Sequence, residues 1–120
     1  YPLDATRLVV AAGACYAARW TTFHVEQFKE AIKRAVTTKG FAFVEAVSQC
    51  PTAFGRRVGF KTAVDMLRWF KENSVLVQQA EKMAESDLVG KILVGEFVRR
   101  EFPSFTETLH ETMKEARKSA

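Results

Sequence analysis

The chain has 120 residues, 48% of them hydrophobic and 27% charged, with a formal net charge of +4 at pH 7. That size and apolar content suit one domain or part of one, and charge spread along a sequence without low-complexity linkers excludes a disordered chain. No apolar run reaches the roughly 20 residues of a membrane span, and no basic stretch with an apolar core opens the sequence, so a soluble, cytoplasmic protein away from membranes is expected.

The sequence starts at Tyr1 rather than Met and runs almost at once into the apolar residues 8–12, so it reads as cut at that end. Residues 8–14 suit a short helix and residues 15–20 a buried strand, with Gly13 at the break between the two. Val25, Phe28, Ala31, Ile32, Ala35 and Val36 then recur at helical spacing, with Glu26, Lys29, Lys33 and Arg34 on the other face. His24 and Thr22 compete for the N-cap, and Gly40 is placed to stop the helix.

Residues 41–48 are rich in aromatic and β-branched side chains and too short for a typical helix, so they read as a second buried strand. Strand, helix and strand make a βαβ unit whose strands run parallel, which puts residues 49–57 at the carboxyl end of the second strand. Ligands of open α/β sheets bind at that edge. After Gly55 and Gly59, residues 63–73 are helical by pattern with Thr62 as cap, and a second helical stretch is expected over 75–84. Residues 91–98 form a third strand candidate, and Phe105, Leu109 and Met113 an i, i+4 stripe on a terminal helix.

The run of residues 48–57 is the most informative. It leaves a buried strand carrying a thiol (Cys50), a φ-fixing Pro51, the hydroxyl of Thr52, a turn glycine and the adjacent guanidiniums of Arg56 and Arg57. Two arginines side by side can grip a carboxylate or phosphate through paired N–H donors. A tight strand-to-loop exit with surface arginines explains the same residues. Cys15 and Cys50 form no CxxC pair, and two thiols are too few for an iron–sulfur cluster or a structural zinc, so no cluster is expected on this chain. The two lie near opposite ends of parallel strands, so free thiols are expected. His24 reads as a cap and His110 as a helix-surface residue; neither is placed to activate Cys50 as a nucleophile. Arg99, Arg100 and the basic residues of 114–118 suit an acidic protein or a solvated helix end. The basic charge would suit nucleic acid too, but Lys29, Lys33, Lys71, Lys114 and Arg117 fall at solvent-facing helix positions, so no nucleic-acid partner is expected. GxGxxG, P-loop, G-x-S-x-G and HExxH motifs are absent.

Residues 40–57, Gly-Phe-Ala-Phe-Val-Glu-Ala-Val-Ser-Gln-Cys-Pro-Thr-Ala-Phe-Gly-Arg-Arg, resemble the thiamine-diphosphate-binding β subunit of 2-oxoacid:ferredoxin oxidoreductases, particularly the 2-oxoglutarate branch. Residues 11–22, 65–73 and 90–105 resemble its flanking elements, so the likeness covers nearly the whole chain. It implies the C-terminal portion of a thiamine-diphosphate-binding α/β fold, a parallel sheet flanked by helices over residues 1–98, and a C-terminal helical tail over 99–120 that contacts another subunit. The implied reaction decarboxylates a 2-oxoacid oxidatively onto coenzyme A, as co-substrate, and passes electrons to ferredoxin. Implied partners are an α subunit, the N-terminal part of the β subunit and ferredoxin. Cys50, Pro51, Thr52, Arg56 and Arg57 would line or flank the active-site edge.

The family's cofactor grip, a Gly-Asp-Gly segment with a downstream Asn pair, has no counterpart here: Asn73 is the sole asparagine, and Asp4, Asp65 and Asp87 adjoin no glycine. Thiamine diphosphate and magnesium would therefore be held mainly by residues outside this chain, which alone would be inactive. Ala53 stands where the family often has Tyr, and Val25 where Pro is frequent. A non-enzymatic interaction or scaffold module on a degenerate copy of the fold is the alternative reading.

Overall fold

A computed structural model describes residues 3–118, so the outer ends of the two expected ranges, residues 1–2 and 119–120, lie outside it. The elements in order are α1 (Ala5–Ala11), β1 (Tyr16–Thr21), α2 (Val25–Thr37), β2 (Ala42–Val47), α3 (Ala63–Asn73), β3 (Ser74–Leu76), α4 (Val77–Ala80), β4 (Ile92–Arg99) and α5 (Phe105–Lys118). They build an α/β fold on one four-stranded sheet of order β2-β1-β4-β3.

The βαβ unit forms as its pattern requires: β1 and β2 pair in parallel from Tyr16 with Ala42 to Thr21 with Val47, and α2 packs against both. The chain leaves β2 at its carboxyl end, and β4 runs back antiparallel to β1, with β3 parallel to β4. Two parallel pairs are thus joined by one antiparallel pair. The β1/β4 register shifts between Ala17 and Ala18, where Val98 and then Glu96 are the partners; Phe97 is left over as a bulge residue.

Alternation in β1 decides the two faces. Tyr16, Ala18 and Trp20 join Ala31 of α2 and Val94 of β4 in the buried core, with Phe28, Val44 and Ile92 packed around it. Arg19, one residue out of phase, faces α1. Its guanidinium donates to Asp4 at 2.6 Å and to Glu45 at 2.8 Å, lies over the Phe97 ring at 5.4 Å, and Glu45 also accepts from the hydroxyl of Thr6.

Helix α1 starts earlier than its apolar residues suggest, because the Asp4 carboxylate caps the N–H of Arg7. Helix α2 starts after His24, whose ring makes no cap bond; Nδ1 instead lies 2.8 Å from the Thr21 hydroxyl, and burial lowers its pKa. Gly40 sits at φ +97°, and a Cβ there would meet Cys15 Sγ at 2.6 Å, so the turn into β2 needs glycine on both counts. Helix α3 has the bounds its pattern predicts and a reciprocal Thr62–Asp65 capping box.

The helix expected over residues 75–84 is not formed as one element. Residues 74–76 pair with 92–94 of β4, and only Val77–Ala80 is helical. The open edge of β4 captures this segment's backbone, which outweighs its weak helical pattern. Helix α5 buries none of its residues, leaves Phe105 82% exposed, and extends a molecule of 71 × 30 × 25 Å. No helix among the described residues is long and apolar enough to cross a membrane.

Candidate functional site at the carboxyl edge

Beyond Val47 the chain enters a turn wider than an α-helix. The N–H of Gly55 donates to the carbonyl of Cys50, and that of Phe60 to the carbonyl of Gly55, each five residues back. Pro51–Gly55 is a π-helical turn with Pro51 in its first turn, where a missing N–H costs nothing. Gly55 is buried, and a Cβ on it would lie 2.9 Å from Met66 Sδ, so the turn seats directly on α3. At the β1 exit the Thr22 hydroxyl donates to Gln49 Oε1 and the Thr22 N–H to the Val47 carbonyl, clasping the carboxyl ends of β1 and β2.

The π turn divides two recesses. On one side is an apolar cleft of about 270 Å³, walled by Phe54, Phe60, Met66, Trp69 and Ile92, with Cys50 and Gln49 at its lip. On the other is a smaller, more polar recess of about 180 Å³, where Thr52, Arg56, Lys61 and Thr62 stand beside Pro51, Ala63 and the Phe60 and Met66 it shares with the cleft. The run singled out in the sequence is therefore split: Cys50 opens on the apolar cleft, Pro51, Thr52 and Arg56 on the polar recess, and Arg57, though exposed, is in the wall of neither.

Cys50 is exposed, and its sulfur lies 3.8 Å from the Thr52 hydroxyl. The N–H groups of Phe54 and Ala53, and then the Thr52 hydroxyl, hold its thiol below the ordinary pKa, because donors aimed at sulfur favour the thiolate. Cys15 is buried at the other end of the parallel pair, and both cysteines are free. His110 is exposed on α5, far along the chain from this edge. Arg56 and Lys61 form no ion pair among the described residues, and the nearest acid to this recess by bonding, Asp65, caps Thr62.

The aromatic wall of the apolar cleft escaped the sequence reading, although Phe54, Phe60 and Trp69 bracket the loop. Rings of Phe60 and Trp69 meet edge-on with centroids 6.2 Å apart, and Trp69 and Phe70 are 5.9 Å apart. A cluster of aromatics on both sides of a Pro- and Gly-containing loop was the available signal.

No protein-family profile and no solved structure matches the sequence significantly. Among curated proteins, the chain is 46% identical over 112 residues to the 2-oxoglutarate synthase subunit KorB of Methanocaldococcus jannaschii, a match that covers 93% of this chain and 42% of that protein. It is 47% identical over 108 residues to the subunit of the same name from Methanothermobacter thermautotrophicus, covering 90% and 38% respectively. Over 74 residues it is 34% identical to the β subunit of 2-oxoacid:ferredoxin oxidoreductase 2 of Aeropyrum pernix, covering 62% of this chain and 21% of that one. The chain spans about two fifths of the length of the first two relatives.

Proposed function

Since the chain belongs, as a partial-length homologue, to the β-subunit family of the 2-oxoacid:ferredoxin oxidoreductases, we propose that it supplies one wall of an active site in such an enzyme, with 2-oxoglutarate as substrate. The observation that carries this reading is the identity of 46% and 47%, sustained over nine tenths of the chain, to two proteins named as 2-oxoglutarate synthase subunits. In this role the loop after β2 presents the Cys50 thiol, Pro51, Thr52 and the cationic Arg56 at the carboxyl edge, where a 2-oxoacid carboxylate would meet a guanidinium that no ion pair engages. Arg57, outside both recesses, faces a partner. The reaction is oxidative decarboxylation to an acyl-coenzyme A with electrons passed to ferredoxin, and it takes place in the cytoplasm.

Thiamine diphosphate and magnesium do not fit the residues present. No group of three His, Cys, Asp or Glu among the described residues is placed to hold a metal ion, and the two recesses contain no carboxylate. We assign their binding mainly to residues of the enzyme outside this chain.

Two features favour completion by other protein at the β2 side. Strand β2 is an outer strand of the sheet, with one row of backbone groups unpaired by any strand of this chain. Along the flank of α2 opposite Arg34, which reaches β4 through Glu96, Val25, Ile32 and Val36 are 54%, 42% and 81% exposed. An apolar helix face wider than the sheet beneath it suits an added element, which we assign to the N-terminal part of the β subunit. The α5 stripe of Phe105, Leu109 and Met113, likewise exposed, suits contact with the α subunit or a second copy.

The test is purification of the intact subunit with its partner and assay of 2-oxoacid-dependent reduction of a viologen dye in the presence of coenzyme A. Reduction with 2-oxoglutarate supports the reading, and absence of reduction with every common 2-oxoacid removes it. Reduction with pyruvate alone keeps the enzyme class and overturns the substrate.

A further inference from the structure

Arg99 and Arg100 take no part in the carboxyl-edge site. They lie at the other end of the sheet, since Arg99 pairs with Tyr16, the first residue of β1, and the N–H of Arg100 donates to the carbonyl of Cys15 at 2.7 Å. Here they line a groove of about 580 Å³ together with Arg34 and Lys39 from the end of α2, against Glu101 and Glu107. Four cations face two carboxylates. Lys39 is paired with Glu107 at 2.6 Å, and Arg34 with Glu96 of β4. Arg99 and Arg100, both exposed, form no ion pair among the described residues, and their charges remain available to a ligand.

The groove's other groups decide what kind of anion it suits. Compact phosphates are held by free backbone N–H groups at helix N-termini or nests. Here the last turn of α2 presents its carbonyl end, the negative end of the helix dipole, and at the N-terminus of α5, which borders the same groove, the Glu107 carboxylate already accepts from the Ser104 N–H and hydroxyl. The hydroxyls of Thr37 and Thr38 donate to the carbonyls of Lys33 and Arg34, and the N–H groups of Thr38 and Arg100 are likewise engaged. The long cationic side chains lie beside an apolar shelf of Pro103 and the half-exposed Phe102. Side-chain carboxylates with an apolar neighbour match that arrangement better than a phosphate does. The chain contains one instance of it: Glu107 of α5, two residues from Phe105, sits on Lys39, and the lysine and the Ser104 N–H and hydroxyl hold its carboxyl down to a pKa of about 2.

We propose that this groove docks an acidic segment of a partner protein, with two carboxylates on Arg99 and Arg100 and an apolar side chain on Phe102. The proposal stands on this groove's own charges and rests on no part of the enzymatic reading, so either survives failure of the other.

The chain, in the assembly in which it is purified, is titrated with a fluorescein-labelled peptide of the sequence Glu-Glu-Phe-Glu-Glu and monitored by anisotropy at low and high salt. Saturable binding is expected, weakened about tenfold or more by Arg99→Gln with Arg100→Gln, while Lys29→Gln with Lys33→Gln, an equal loss of charge on α2, changes it less than about twofold. If circular dichroism shows that the double variant does not fold, Arg100→Gln alone is compared with Lys33→Gln, and a smaller but still selective loss is expected. Absence of saturable binding, or equal weakening by the two pairs of substitutions, overturns the proposal. So does displacement of the probe by inorganic tripolyphosphate at lower concentration than by unlabelled peptide, which would make the groove a phosphate site.

Discussion

On the α2 face of the sheet, Tyr16, Ala18, Trp20 and Val94 pack with Ala31 into an apolar core, at whose margin Glu96 accepts from the Tyr16 hydroxyl at 2.8 Å and pairs with Arg34 of α2. On the α1 face, a single strand residue away, the contacts are ionic: Arg19, 11% exposed, is shared between Asp4 and Glu45, and the Thr6 hydroxyl closes the set. The first face is held mainly by apolar area removed from water, a contribution that involves no ionisation. Geometry and ionisation hold the second, where Coulomb gain must offset the desolvation of a guanidinium. One strand thus carries a rigid side and a conditional side, and α1 is the element that answers to conditions.

Three measurements would break or sharpen that contrast. Trp20→Ala should be the most damaging, lowering stability in urea titration by about 3–5 kcal/mol, because a large ring leaves a void in the apolar face. A loss below about 1 kcal/mol would mean that α2 does not depend on that core. Arg19→Met should cost less, about 1–2 kcal/mol, since Asp4 and Glu45 are 37% and 28% exposed and recover water. Adding Glu45→Met should return part of that loss, and a further loss instead would show that Glu45 has a partner of greater weight than Arg19.

The smallest effect is pH-dependent opening of α1. Burial pushes the Asp4 carboxyl up, but the Arg7 N–H, the Arg19 hydrogen bond and the two positive charges outweigh it and leave the pKa below its ordinary value. A depressed carboxylate contributes stability that is fully present above the unfolded value, about 4, and is lost as pH falls through the lower folded one. Amide exchange in α1 should therefore quicken selectively below about pH 4 while α2 stays protected. Equal change in both helices would dissolve the distinction.

The apolar face was legible because its signals are local: a buried run in β1, aromatic and β-branched residues in β2, period 3.6 in α2, and Gly40 before β2. Thr62 was legible as the cap of α3 for the same reason, while the reciprocal bond from Asp65, three residues on, came from the structure. The α1 face joins residues far apart in sequence. An arginine inside a small-residue strand, with a glutamate directly opposite it at position 45 once the strands are aligned, was a sign that only the register could turn into a contact. The strand over 74–76 depends in the same way on β4 lying alongside. At the candidate site, residue types marked the loop, but their division between two recesses comes from a π turn that no local propensity encodes.

That turn contains one more residue than an α-helical turn would need between the same neighbours. It behaves as a removable spacer: excising one of Ala53 or Phe54 would tighten the coil and rotate the residues that follow it by about a quarter of a revolution relative to β2. The two guanidiniums would then trade places, Arg57 swinging toward the polar hollow and Arg56 away. A homologue one residue shorter there would offer its ligand a different hand while keeping the strands as they were.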